Sequence, residues 1–259
     1  DGRARAWAQD GSKSRAMLGL EVLGAMGSDL ALSLVGRVSR SSQKQYMKDR
    51  ATAILAEIAA NRGLTADELE DRTAPDLGLD ATGTMTLDFG PRAFTVGFDE
   101  HLAPFVRTDA GEKRDSFPRA NKQDDAAKAK AASEAWKALK AEAEKVSADQ
   151  VARLERMMGD ERRVDADTFV SAFVNHPLVG HLARRLVWGS FDAKGTLVST
   201  FRVAEDRSYA TIDDRETTLA KGEGSPTIGV VHPLALTDAQ KAEWGAQLAS
   251  YEVVQPFPQ

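Results

Sequence analysis

At 259 residues, 42% of them hydrophobic, the chain is long enough for one large domain or two ordinary ones, each with a real core. It contains no cysteine, which excludes disulfides, thiolate metal sites and a cysteine nucleophile. The formal charge of −5 is unevenly placed: residues 1–63 hold ten Lys and Arg against six Asp and Glu, a net +4, which leaves −9 for residues 64–259.

No apolar run approaches the roughly eighteen residues that span a bilayer. The opening DGRARAWAQDG has neither an initiating Met nor the apolar stretch of a signal peptide, and the close VVQPFPQ carries no polar tail. The expectation is a cytoplasmic segment of a longer protein.

From Ser12 to Met26 the apolar positions Met17, Leu18, Leu20, Val22, Leu23 and Met26 recur at three-to-four spacing, as an amphipathic helix requires, and Gly27 closes it. Ser28 or Asp29 caps a second helix carrying Leu30, Leu32, Leu34, Val35 and Val38. A third spans about Gln43 to Ala60, with Ala51, Ile54, Leu55 and Ile58 facing inward. Short links and small residues at the expected contacts (Gly19, Gly24, Ala25, Ala31) predict HEAT-like antiparallel helical repeats, so that residues 1–63 form the end of a longer array. Arg37, Arg40, Lys44, Lys48 and Arg50 gather around one helix–helix connection. Such a rim could draw in phosphates or an acidic partner; the plainer reading is a solvated helical surface.

The joint lies at Leu64 to Asp80, LTADELEDRTAPDLGLD. Thr65 and Glu68 form a capping box, with Leu64 stapled onto Leu69, so a short helix starts at Ala66; Pro75 ends it. Beyond the joint the period changes to two. Met85, Leu87 and Phe89, then Phe94, Val96 and Phe98 across the Gly90-Pro91-Arg92 turn, predict a β-hairpin with one apolar face. Residues 107–122 are charged and turn-rich. Asp124 to about Met158 reads as a long, thinly apolar helix with Trp136, Leu139, Val146, Val151, Leu154 and Met158 as its seam, and a second capping box, Ser147 with Gln150, predicts a break. Phe169, Phe173 and Val174 mark a short helix, and Pro177 opens another. A second hairpin follows, Leu186–Phe191 and Thr196–Val203 joined through Asp192 to Gly195, then strands at Tyr209–Ile212 and Thr227–Val231. A last helix, boxed by Thr237 and Gln240, carries Trp244 and Leu248. Blocks of strands and helices without βαβ alternation make the class α+β, with the mixed domain at 64–259.

Five stretches, LTADELEDRTAPDLGLD, LDFGPRAFTVGFDEHLAPFVR, HPLVGHLARRLVWGSFD, STFRVAED and GVVHPLALTDAQ through YEVVQPFPQ, together resemble the bacterial MolR-like family of uncharacterised domains, associated with WGR domains. The resemblance implies a module of a long cytoplasmic protein, preceded by HEAT-like repeats, that works with a MoxR-type AAA+ ATPase or a von Willebrand A protein. It implies no catalytic residue and no cofactor.

The chemistry left to find is sparse. Of the four histidines, His176 and His181 sit five apart across Pro177, off the shared face of a helical ligand pair. His176-Pro177-Leu178 and His232-Pro233-Leu234 read as a helix start and a turn. Asp99, Glu100 and His101 end the first hairpin, where a carboxylate could orient an imidazole for proton transfer, although neighbours at a strand end are usually just solvated. Ser190, in Trp188-Gly189-Ser190-Phe191, lacks the second glycine and the strand-to-helix setting of a nucleophile elbow, and the glycines Gly222 and Gly224 precede a strand, the reverse of a phosphate-binding loop. Arg184 and Arg185 beside Trp188 could anchor a partner, or serve as a helix end and a core aromatic. The leading expectation is a non-catalytic protein-interaction or scaffold module. The alternatives are an enzyme with a pocket near Asp99, Glu100 and His101, and a nucleic-acid-associated regulator using the rim from Arg37 to Arg50.

Overall fold

A computed structural model describes residues 13–99, 102–114 and 116–259. The chain is mixed α and β, with eight α-helices and two antiparallel sheets among the described residues, and it divides into two compact units, Asp1–Pro75 and Asp76–Gln259.

The first unit holds α1 (Lys13–Met26), α2 (Asp29–Ser41), α3 (Gln45–Asn61) and α4 (Ala66–Arg72). Helices α1 to α3 gather round one core of Ala16, Leu20, Val35, Val38, Met47, Ala51 and Ile54. Gly24 is where α1 meets α3: a Cβ there would lie 2.6 Å from Ile54 Cγ2, so only glycine permits the approach. The capping box forms, with Glu68 N donating to Thr65 Oγ1 (3.2 Å) and Thr65 N donating to Glu68 Oε2 (2.7 Å). The helix it opens packs through Leu69 on Leu32 and Ala59, so α4 joins the helices before it rather than the strands after it. HEAT-like repeats are not shown: three helices share a single core, and no helical pair recurs against another among the described residues.

The second unit opens with a four-stranded meander, β1 (Met85–Asp88), β2 (Ala93–Phe98), β3 (Pro104–Thr108) and β4 (Lys113–Arg114), in the order β1-β2-β3-β4. Leu87 pairs with Phe94 and Met85 with Val96, as the alternating pattern requires. Helix α5 (Ala126–Gly159) follows, capped by Asp125, whose carboxylate accepts from Ala127 N and Lys128 N at 2.9 Å. It runs 34 residues without a break. The expected interruption at Ser147 fails because Ser147 and Gln150 are buried on the inner face beside Val146 and Leu154, and a box residue turned inward within a continuous helix caps nothing.

Helix α6 (Ala166–Phe169) runs into a π-turn, Val170–Val174, and then comes α7 (Val179–Ala183). The second sheet joins β5 (Val187–Phe191), β6 (Leu197–Val203), β7 (Tyr209–Thr211), β8 (Glu216–Thr217) and β9 (Thr227–Val230) in the order β8-β7-β6-β5-β9. Strand β5 is buried on both faces. Trp188 points to Phe169 and Phe173 of the α6 and π-turn layer, whereas its neighbour Val187 points to Leu236, Trp244 and Leu248 of the opposite layer, which contains α8 (Asp238–Ser250). That alternation puts the sheet between two apolar layers and fixes what lies at its end.

Candidate functional site

A cleft of about 660 Å³ opens in the second unit where four separate pieces of chain converge. Phe98 and Asp99 close β2; His181, Arg184 and Arg185 come from α7 and its end; Arg202 to Asp206 and Ser208 come from the end of β6 and its turn into β7; Tyr251 to Val254 follow α8. The local sequence builds each wall. The β6–β7 turn is fastened by Asp206, whose carboxylate accepts from Ser208 N (2.9 Å) and Ser208 Oγ (2.6 Å), with Arg207 in the left-handed region at φ 71°. Helix α8 ends at Tyr251, and Glu252, at φ 54°, turns the chain so that Val253 N returns to Leu248 O at 2.9 Å.

The charges in the cleft fall into two groups. Arg202 is tied: its Nη2 meets Asp214 Oδ1 at 2.9 Å, its guanidinium carbon lies 3.9 Å from the centre of the Tyr251 ring, and the Tyr251 hydroxyl donates to Asp214. Those two hydrogen bonds, from Tyr251 first and Arg202 second, hold the Asp214 carboxyl below its ordinary range. Arg184 is different. Its Nε donates to Gly180 O at 3.0 Å, and among the described residues it makes no ion pair. Burial, and then repulsion from Arg207, weaken its hold on its proton, while Glu205 opposes them. Arg207 is held alongside by Ala81 O and by Asn175 Oδ1 at 3.3 Å.

His181 completes the floor. Burial first, and the charge of Arg184 second, push its pKa down to about 4, with the Gly83 backbone acting in the other direction. Its ring meets Phe98 edge-on at 5.8 Å. Gly83, at φ 77°, lies close against it: a Cβ there would stand 2.7 Å from Pro177 O and 2.8 Å from His181 Nε2. The imidazole is therefore a neutral, tightly packed group at neutral pH.

Of the residues singled out from sequence, Asp99, Arg184 and Arg185 share this cleft. Asp99 Oδ1 accepts from Ala103 N at 2.8 Å, and Arg185 Nε donates to Val254 O at 2.5 Å. Glu100 and His101 lie outside the described residues. Trp188 does not join them: it is fully buried and donates Nε1–H to Ala183 O at 2.8 Å, which makes it a core aromatic and not a surface anchor. The helical rim is partly neutralised. Arg40 pairs with Glu70 at 2.6 Å and Arg50 with Glu21 at 2.5 Å, Arg37 is buried, Lys48 is half-buried and Lys44 is exposed. Ser190 pairs with Ser199 and Ile228 inside the sheet. His232 Nδ1 accepts from Leu234 N as the N-cap of the short turn Pro233–Ala235, whereas His176 Nδ1 accepts from Leu178 N and Val179 N in a turn ahead of α7, which starts only at Val179. Sequence reasoning missed His181 as a cleft group and the Arg202–Asp214–Tyr251 set entirely. The one available signal was an arginine on an inward position of β6, flanked by Phe201 and Val203. Among the described residues no three His, Asp or Glu side chains gather as a metal site, and no helix is long and apolar enough to cross a membrane.

Comparison with known proteins corrects the resemblance drawn from sequence. Residues 111–259 match the family described as "Domain of unknown function (DUF4132)". The chain is also 37% identical over 256 residues to "Uncharacterized protein YehI" of Escherichia coli (strain K12), a match that covers 98% of this chain and 21% of that protein. It thus spans about a fifth of that relative's length. No solved structure matches. Neither a MolR nor a WGR family is among the matches, and the stretches from His176 onward that suggested one fall inside the region 111–259. With more than half its residues matched, the chain belongs to the DUF4132 family.

Proposed function

We propose that this chain is a non-catalytic interaction module of a longer cytoplasmic protein, and that it grips a segment of a protein partner in the cleft between β2, α7, the β6–β7 turn and Tyr251–Val254. The cleft carries the reading. At about 660 Å³ it has room for several side chains, and it mixes apolar walls (Phe98, Val203, Val253, Val254) with a few fixed polar groups, the composition of a site that holds a ligand by shape and orients it by charge. The AAA+ and von Willebrand A partners lose their basis with the MolR-like resemblance and form no part of this reading.

The test is photo-crosslinking from a reactive amino acid placed at Ser208 in the full-length protein inside cells, compared with the same probe in an Ala204→Trp background that fills the cleft. A discrete crosslinked protein that disappears with Ala204→Trp is the expected outcome. An identical set of products in both backgrounds overturns it. Catalysis remains the second reading because Asp99 lines the same cleft.

A further inference from the structure

Building on the cleft as the binding site, we propose that its floor at Arg184 is a carboxylate subsite, so that the bound segment is a peptide carrying one acidic group, a Glu or Asp side chain or a free C-terminus, within an apolar stretch. Arg184 is a half-buried guanidinium that lines the cleft with a single hydrogen bond, from Nε to Gly180 O, which leaves its two terminal nitrogens without a hydrogen-bond partner among the described residues. Taking a guanidinium this far out of water is costly unless its donors are met, and a carboxylate meets two of them at once through parallel N–H···O bonds. Three other charged groups of the lining are engaged elsewhere. Arg202 is engaged by Asp214 and Tyr251, Asp206 by Ser208, and Asp99 by Ala103 N.

The surroundings define the ligand further. Arg185 stands next to Arg184, and Arg207 is close enough to disturb it; Glu205 acts on Arg184 in the opposite sense but less strongly and forms no ion pair with it among the described residues, so positive charge predominates there. Glu205, Asp206 and Glu252 line the same cleft and are exposed. Three exposed carboxylates beside the arginines repel a polyanion such as a nucleic acid strand, which brings many charges to the cleft at once. A single carboxylate reaches Arg184 without that penalty, and the flanking residues of the segment rest on Phe98, Val203 and Val254.

The experiment is binding of the full 259-residue chain to three hexapeptide arrays: blocked termini without acidic residues, blocked termini with one Glu, and a free C-terminal carboxylate. The expected result is capture on one of the two carboxylate arrays, weakened about tenfold or more by Arg184→Gln and less by Arg184→Lys, which keeps the charge but loses the fork. Should Arg184→Gln fail to fold, the wild-type chain decides alone, since raising NaCl from roughly 50 to 500 mM must weaken capture on the carboxylate array more than on the neutral one. Equal capture on neutral and acidic arrays, insensitive to salt and to Arg184, overturns the subsite while leaving the peptide cleft standing. Capture on none of the arrays by the folded chain overturns both.

Discussion

The His181→Leu variant isolates the electrostatics of the cleft floor. In the folded chain His181 has a pKa of about 4 against an ordinary value of 6.5, because burial and Arg184 both disfavour the imidazolium. The unfolded chain therefore binds the proton more tightly, so protonation favours unfolding. The contribution of the neutral ring is fully present above pH 6.5, is lost as the pH falls from 6.5 towards 4, and levels off below that. At pH 4.5 linkage gives a loss of about 2–3 kcal/mol relative to pH 7.5. Leucine has similar bulk and does not titrate, so His181→Leu removes this loss whatever it costs in packing at neutral pH. Urea unfolding at pH 7.5 and 4.5, followed by tryptophan fluorescence in a Trp7→Phe background so that only Trp136, Trp188 and Trp244 contribute, reports on the unit that contains His181. Carboxylates such as Asp80, held at about 2 by Thr82 and Thr84, titrate alike in both proteins and cancel in the double difference. Wild type must lose about 2–3 kcal/mol more than the variant between the two pH values. Parallel losses would show that the surroundings do not hold the imidazole neutral, and burial with Arg184 could no longer explain the floor.

Two further substitutions test the packing that frames the cleft and the helical unit before it. Gly189→Ala places a Cβ 2.6 Å from Leu197 Cδ1 and 2.9 Å from both Phe191 and Val231, inside a strand covered on both faces; overpacking should cost roughly 1–3 kcal/mol, read as a lower urea midpoint with an unchanged slope. Thr65→Ala breaks the capping box and should destabilise the first unit by about 1 kcal/mol, with Thr65→Ser restoring most of it in thermal melts followed by circular dichroism.

What the sequence made legible is what neighbouring residues decide between themselves. The boxes at Thr65 with Glu68 and Thr237 with Gln240 form because donor and acceptor sit three residues apart at the true start of a helix. The turn from Asp192 to Gly195 forms because glycine alone takes φ 82° there without strain. The same local logic misled at Ser147 with Gln150, where the pattern is present but tertiary burial selects a continuous helix. It also left 107–122 as turns, although Arg107 and Thr108 end β3 and Lys113 and Arg114 pair back onto it. The cleft lay beyond this kind of reading altogether. Its walls come from residues near 98, 181, 203 and 251, and no spacing in the chain announces that these meet.

Those walls are also fixed before anything binds. The Tyr251–Val254 wall is clamped where Arg185 Nε donates to Val254 O, and further along the chain the Gln259 amide accepts from Val187 N at 2.9 Å while donating to Val187 O and Val231 O at 3.0 Å. The last residues thus finish a hydrogen-bonded seam against β5 and the end of β9. On the facing side, Arg207 pins the β6–β7 turn to Ala81 and Asn175. A cleft whose opposite walls are each tied to the surrounding fold loses little conformational freedom when it is filled, so more of the gross contact energy survives as affinity. Loosening one tie, for instance by Gln259→Ala, therefore acts on binding through the order of the empty cleft, although Gln259 does not line it.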